Sequence, residues 1–554
     1  MKKILLVALN SKYVHINIAL RYIKKYYDKY KITNYNVKIL EMTINNSIDD
    51  ILDKIYTEKS DIVMFSTYVW NIEYVMKISK ELKKIDNNIK IGLGGPEVSY
   101  NGNELLNNNS FIDYIFVGEG EKIFLNFLEN DYNQIKGLFY RKDDKICFNG
   151  YEELISNLDE VPFPYDDIDF FNNQIIYYES TRGCPFSCSY CMSSIDKTVR
   201  SFSLDRIKND LKLFIDKKIK LVKFVDRTYN LNKKHYFSIW KFLIDNYTGE
   251  TKFHFEISGD LFDEEVILFL KNIPNDYFQF EIGVQTINVN TLEAINRKTD
   301  LTKLKENINK IDENIHLHLD LIAGLPYEDY NSFGKSFNFV HSMNPDMIQL
   351  GFLKILKGTK ISTETTKFGY KYRDYPPYEI ISNNFITYEE ILQLKKIENL
   401  VDNYYNSHKF NITLNYIINV LYSENYFKFY EEFSTYWDEN SYYDIGHKPI
   451  KYFDYVYEYF IDKKEINNEI LLECLKFDYL KIGKTGFFPE WMERNSNKDI
   501  YESVIFGMNF SSRREAFKNT EFEIFKYNIL NKNYDKIETK VLFNYETKES
   551  KIIT

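Results

Sequence analysis

Short runs of continuously apolar residues alternate with stretches whose apolar residues recur every three or four positions, and this persists over the first two thirds of the chain. In the segment 1–150 the runs Ile4–Leu9, Val37–Met42, Asp61–Ser66, Ile89–Leu93 and Phe111–Val117 read as strands. Between them Ile16–Tyr27, Ile48–Tyr56 and Ile72–Ile85 read as helices. Strands apolar on both faces, alternating with helices, predict an α/β domain built on a doubly wound parallel sheet. Ligands of such sheets sit at the carboxyl ends of the strands. There the sequence places Ser66-Thr67-Tyr68-Val69-Trp70-Asn71, Gly94-Gly95-Pro96-Glu97 and Gly118-Glu119-Gly120-Glu121. A residue without Cβ lets backbone approach a bulky ligand closely.

The segment 151–172 is a linker, with the acidic, proline-bearing stretch Leu158 to Asp167. From 173 to 360 the alternation resumes. Gln174–Glu179, Leu221–Val225, Lys252–Ile257, Phe278–Val284, His316–Ile322 and Met347–Lys354 read as strands, with a helix at Leu204–Phe214. Six βα units predict a (β/α)6 partial barrel, with its active face at the carboxyl ends of the strands. His316 and His318 share one strand face and read as strand residues rather than a metal pair.

The chemistry concentrates in Glu179-Ser-Thr-Arg-Gly-Cys184-Pro-Phe-Ser-Cys188-Ser-Tyr-Cys191, which holds three of the chain's five cysteines. Thiolates at this spacing can wrap one face of an iron–sulfur cluster and leave one iron open. Zinc or a disulfide is the alternative, but zinc would want a further Cys or His at knuckle spacing. His235 and Cys474, the next of each type downstream, do not stand there.

The stretch resembles the Cys-x3-Cys-x-aromatic-Cys signature of radical S-adenosylmethionine (SAM) enzymes, with Tyr190 in the aromatic position. Further landmarks follow in the order of that superfamily: Phe224-Val-Asp226-x-x-Tyr229-Asn230, Glu281-Ile-Gly283-Val-Gln285-Thr286 with Ile295-Asn-Arg297, and Asp320-Leu-Ile-Ala-Gly324-Leu-Pro326. The glycine pairs of the first domain resemble the Rossmann-like cobalamin-binding domain fused in front of many such enzymes. Two departures stand out: Glu97 replaces the usual His, and no Asp-x-His-x-x-Gly loop follows the first strand. His15 lies at the wrong spacing and reads as a polar residue at a helix start.

The resemblance implies a [4Fe–4S] cluster on Cys184, Cys188 and Cys191. It implies SAM contacts at Tyr190, Arg200, Asp226, Glu256, Ser258, Gln285 and Gly324, for any one of which a structural role at the barrel rim is the competing reading. It implies cobalamin contacts at Ser66, Thr67, Gly94, Gly95, Pro96, Glu97, Gly118, Glu119 and Gly120. The implied activity is reductive cleavage of SAM to a 5′-deoxyadenosyl radical, with methyl transfer through cobalamin to an unactivated centre. Radical rearrangement or ring closure, and a cobalamin-binding sensor, are the alternatives. An electron donor such as flavodoxin or ferredoxin is the implied partner, in a cytoplasmic, anaerobic setting.

From 361 to 554 no catalytic motif is legible. Ile386–Tyr405, Asn411–Tyr422, Tyr426–Trp437, Tyr452–Ile461 and Ile470–Tyr479 read as helices, and Glu521–Tyr527 and Thr539–Tyr545 as strands, so this part is mostly helical. It resembles the uncharacterised C-terminal domain of one branch of the family and is expected to shape the substrate site. Cys474 reads as helix core and Cys147 as part of a short strand. Composition adds exclusions: a net charge of −10 argues against a broad nucleic-acid face, and Ser511-Ser-Arg-Arg-Glu is too short to reverse that. The apolar N-terminal run is too short for a membrane span.

Overall fold

The computed structural model describes residues 2–31, 35–143, 145–165, 173–311, 313–506, 510, 512–531 and 533–553. Asp166 and Asp167 of the linker and Ser511 lie outside the described residues. Packing divides the chain into two compact units, Met1–Glu328 with Gly351–Thr387, and Asp329–Leu350 with Tyr388–Thr554.

The first unit opens with a seven-stranded sheet in the order 2-1-3-4-5-6-7. Its first five strands, Lys3–Asn10, Asn36–Thr43, Ile62–Ser66, Lys90–Gly94 and Tyr114–Phe116, run parallel. The apolar runs are continuous because both faces are covered. Leu5, Val7 and Leu9 point into one core, while Ile4, Leu6 and Ala8 point into the other. The sheet is not purely parallel as the alternation predicts: Leu138–Lys142 and Lys145–Phe148 add an antiparallel hairpin at the edge. Cys147 lies in that hairpin.

A six-stranded sheet follows, with Ile176–Tyr178 at one edge, then Leu221–Phe224, Lys252–Ile257, Phe278–Gln285 and His316–Ala323. The sixth strand, Met347–Phe352, enters this unit at Gly351. The registers run parallel, Val222 against Ile176, Lys223 against His254, Glu256 against Glu281 and Glu281 against His318. Phe278, Phe280, Ile282 and Val284 are buried, and the alternate residues Gln279, Glu281, Gly283 and Gln285 form the opposite, half-buried face. The same period of two places His316, His318 and Asp320 together on the next strand. The inner wall of the partial barrel is therefore polar and charged.

The second unit is mostly helical. It includes Tyr330–His341, Tyr388–Leu400, Asn411–Tyr422, Tyr426–Glu439, Lys451–Phe460 and Asn468–Ile482. Two short helices, Lys498–Phe506 and Arg513–Asn519, and a third antiparallel strand, Glu549–Ile553, add to the pattern read from the sequence. Cys474 is fully buried within its helix. Among the described residues, no helix is long and apolar enough to cross a membrane.

Candidate functional site

The cysteine loop leaves the first barrel strand and returns through a short antiparallel pairing of Thr181–Arg182 with Arg200–Ser201. Gly183 adopts φ +90°, and a Cβ there would lie 2.2 Å from the Thr198 carbonyl oxygen, so only glycine fits. Cys184 N–H donates to the Asp196 carbonyl at 2.9 Å, and Ser189 N–H to that of Ile295 at 2.8 Å. These bonds fix the loop from both sides. Cys184 and Cys188 are buried and Cys191 half-buried, and all three thiols are free.

Burial pushes the Cys188 thiol up, while the Arg297 guanidinium, 4.0 Å from its sulfur, opposes this. Thr228 Oγ1 lies 3.9 Å from Cys184 Sγ. Among the described residues, no three His, Cys, Asp or Glu side chains converge to hold a single metal ion. Three free thiols on one braced loop, with a cation and a hydroxyl beside two of the sulfurs, fit an anionic iron–sulfur cluster.

Below the loop a cavity of about 230 Å³ is lined by Cys188, Tyr190, Cys191, Glu256, Ser258, Glu281, Gln285, Arg297 and Asp320, among others. Arg297 donates to Tyr190 Oη at 3.3 Å and to the Gly283 carbonyl. Gln285 holds φ +70° on a residue with a side chain, and its buried amide oxygen has no partner. Strained backbone and an orphaned acceptor in a cavity are expected where a ligand completes the site.

Three carboxyl groups line the cavity. Burial raises Glu256 to about 7, with the neighbouring Glu281 adding to it. Burial also raises Asp320, whose Oδ1 lies 2.9 Å from His318 Nε2. At Glu281 burial works the same way, but Lys223 at 3.1 Å and the nearby histidines outweigh it and hold the carboxyl low. His254, 3.2 Å from Glu281, is pushed down by burial and by Lys223. Arg227, Arg297 and Lys298 line the same cavity, so its wall offers cations and carboxyls together and suits a ligand that carries charge of both signs.

Of the residues expected to contact SAM, Tyr190, Glu256, Ser258 and Gln285 line one cavity with Cys188 and Cys191. Three other SAM candidates do not. Asp226 is fully buried and accepts from Ser180 N at 2.9 Å, Ser180 Oγ at 2.6 Å and Thr181 Oγ1 at 2.6 Å, which buckles the strand end ahead of the cysteine loop. Arg200 is buried in an ion pair with Glu119. At Gly324 a Cβ would meet Ile380 Cδ1 at 2.7 Å, so side-chain packing takes up the space expected to admit adenine.

A second cavity, of about 710 Å³, opens at the carboxyl ends of the first sheet. Gly95, Pro96, Gly118, Glu119 and Gly120 line it, with Glu179 and Arg182 from the second sheet's side. An apolar slot of about 120 Å³ adjoins it, lined by Leu6, Met64, Ser66, Gly94 and Phe124 among others. At Gly95, φ is +114° and a Cβ would stand 2.5 Å from the Thr67 carbonyl oxygen, so the rim is backbone. A broad cavity with a glycine rim, acidic acceptors and an apolar slot fits a corrinoid bearing amide donors.

Two cobalamin candidates fall outside both spaces. Thr67 is buried and donates from N–H and Oγ1 to the Gly94 carbonyl, at 2.7 and 2.8 Å. Glu97 is buried too. It accepts from Lys357 Nζ at 2.7 Å and from the Tyr378 hydroxyl, so the residue that replaces the family's usual His ties the Gly-Gly-Pro loop to the segment after the barrel. His15 stands two residues ahead of the N-cap Asn17 of the first helix, and its Nδ1 lies 2.6 Å from Tyr177 Oη.

Sequence reading missed Arg182, which lies within the cysteine stretch, and it left Glu281, Asp320 and Arg297 without roles. The inward period of two on adjacent strands was the available signal for the acids.

The geometry agrees with similarity to known proteins. Residues 4–128 match the B12 binding domain, residues 178–340 the radical SAM superfamily, and residues 366–543 a protein family of unknown function, DUF4080. The chain thus carries a B12-binding domain, a radical SAM domain and a DUF4080 domain in that order. A radical SAM domain holds a [4Fe–4S] cluster and SAM, and a B12-binding domain holds cobalamin.

The 2-(S-pantetheinyl)-carbapenam-3-carboxylate methyltransferase of Streptantibioticus cattleyicolor is 24% identical over 357 residues, 57% of this chain and 50% of that protein. The cobalamin-dependent radical SAM methyltransferase TokK of Streptomyces tokunonensis is 24% identical over 358 residues, with the same shares of 57% and 50%. The chain spans about half the length of these curated relatives. The solved structure of the cobalamin-dependent SAM radical enzyme OxsB with aqua-cobalamin and SAM shares the fold, with a TM-score of 0.60 at 14% identity, covering 93% of this chain and 82% of that one.

Proposed function

We propose that the chain is a cobalamin-dependent radical SAM methyltransferase acting on an unactivated centre of its substrate. The observation that carries this reading is the inner cavity, where Gln285 offers an orphaned acceptor and three acids face two of the cysteines. SAM brings hydroxyl and ammonium donors for these acceptors, and a carboxylate for the cations Arg227, Arg297 and Lys298 of the same cavity. Cys184, Cys188 and Cys191 would hold the cluster; Gln285, Ser258 and Glu256 would orient SAM, with Tyr190 and Arg297 closing one side. Gly95, Pro96, Gly118 and Gly120 would border the corrinoid.

When bound, the cluster supplies the electron that cleaves SAM, and cobalamin carries the methyl group. The chain's own residues position these groups and exclude water. A low-potential one-electron donor of the flavodoxin or ferredoxin kind would serve as reductant. Free cysteines and an oxygen-labile centre suit a reducing, anaerobic cytoplasm. The two alternatives from the sequence gain no specific support from the site.

The test is anaerobic incubation of the reconstituted protein with SAM, hydroxocobalamin and a strong reductant. Formation of both 5′-deoxyadenosine and S-adenosylhomocysteine is expected, since SAM serves as radical source and as methyl donor. Formation of 5′-deoxyadenosine alone would remove methyl transfer from the reading.

A further inference from the structure

The cysteine loop is closed at its base by two arginines. Arg182 and Arg200 are direct partners in the short antiparallel ladder, and residues 183–199 form the loop between them. Two like charges opposite each other repel unless an anion lies between them. Arg182 pairs with Glu121 and Glu179, each at 2.7 Å, and the anion that reaches both arginines comes from the first domain. Glu119 Oε1 lies 3.2 Å from Arg182 Nη1 and 2.9 Å from Arg200 Nη1.

Glu119 stands between Gly118, at φ +105°, and the helix Gly120–Glu129, so it belongs to the glycine rim of the larger cavity. Its second oxygen accepts from Ile155 N–H at 2.8 Å. Arg200 Nη2 continues to Asp196 at 3.1 Å, and the Asp196 carbonyl receives the Cys184 N–H. From the glycine rim to the first cysteine the path is an unbroken series of ion pairs and hydrogen bonds among buried or half-buried groups.

We propose that Glu119 couples the two cofactor loops, so that a cluster in the cysteine loop strengthens corrinoid binding at the glycine rim, and the reverse. A loaded cluster fixes residues 183–199 and with them Arg182 and Arg200. The fixed pair holds Glu119 and presets the rim for its ligand. Linkage makes the effect reciprocal. The proposal rests on the reading that both cofactors bind. Glu119, Arg182 and Arg200 act as positioning residues.

The experiment is titration of the full chain with hydroxocobalamin, followed by absorbance, in cluster-free and anaerobically reconstituted forms. The wild type is expected to bind about tenfold more tightly with the cluster in place, within the usual range of coupling between sites. In Glu119→Gln the ratio is expected to fall below about twofold while the iron content is retained. Equal affinity in the two wild-type forms would overturn the coupling and leave the cofactor reading standing. A tenfold ratio retained in the variant would overturn the assignment to Glu119. No cobalamin binding in either wild-type form would overturn the cofactor reading and the coupling with it. Should Glu119→Gln fail to fold, the wild-type comparison decides alone.

Discussion

Glu256 gives the sharpest prediction, because its carboxyl is costly to ionise in the free protein and useful once a cationic ligand arrives. Burial raises it from 4.5 to about 7, with Glu281 adding to the effect. A group held above its unfolded value stabilises the fold below that value, and the contribution is lost as pH rises through the folded value. Working the linkage through, the ionised carboxylate costs about 3 kcal/mol at pH 8 and about 1.4 kcal/mol at pH 5.5, as orders of magnitude.

Glu256→Gln removes that cost. Differential scanning fluorimetry of the ligand-free protein should show the variant more stable than wild type by a few degrees at pH 8, with the gap narrowing at pH 5.5. Binding should move the other way. The ionised fraction of Glu256 rises from about 3% at pH 5.5 to about 91% at pH 8, so wild-type affinity for SAM should rise about thirtyfold over that range. The variant should lack this dependence. Equal melting curves for the two proteins at both pH values, or a wild-type SAM affinity flat with pH, would refute the argument.

Three further outcomes follow from the same geometry. Cys188→Ala should lose the cluster, measured as iron content and as visible charge-transfer absorbance, while far-ultraviolet circular dichroism stays native. Asp226→Ala should lower the unfolding free energy, read from a urea titration, by about 3 kcal/mol or more, because Ser180 and Thr181 lose the acceptor of three hydrogen bonds. Lys357→Met should cost about 2 kcal/mol by leaving Glu97 buried without its cation, and adding Glu97→Gln should recover most of it in a urea titration.

Much of this fold is written locally. The apolar runs of the first sheet are continuous because both faces are covered, and Ile72–Ile85 has the same ends in sequence and structure. Of the edge hairpin only the short strand around Cys147 was legible, since Leu138–Lys142 ends in Arg141 and Lys142 and offers little apolar pattern. The cysteines were legible because their ligand set is contiguous. The acid wall was half legible: the alternation marks Glu281 and Asp320 as facing one way, but only strand register sets Glu256 beside Glu281.

The long-range contacts were not legible. Glu119 and Arg200 are 81 positions apart, and Glu97 and Lys357 are 260 apart. Glu97, Asp226 and Arg200 carry residue types suited to ligands. Each is buried and held by tertiary partners, which the residue type alone does not reveal.

The most direct test of the account is metal analysis of the anaerobically reconstituted chain supplied with hydroxocobalamin and freed of excess. The account predicts about four irons and about one cobalt in each chain. Iron without cobalt would contradict it, because the glycine-rimmed cavity would then hold no corrinoid and methyl transfer through cobalamin would have no carrier.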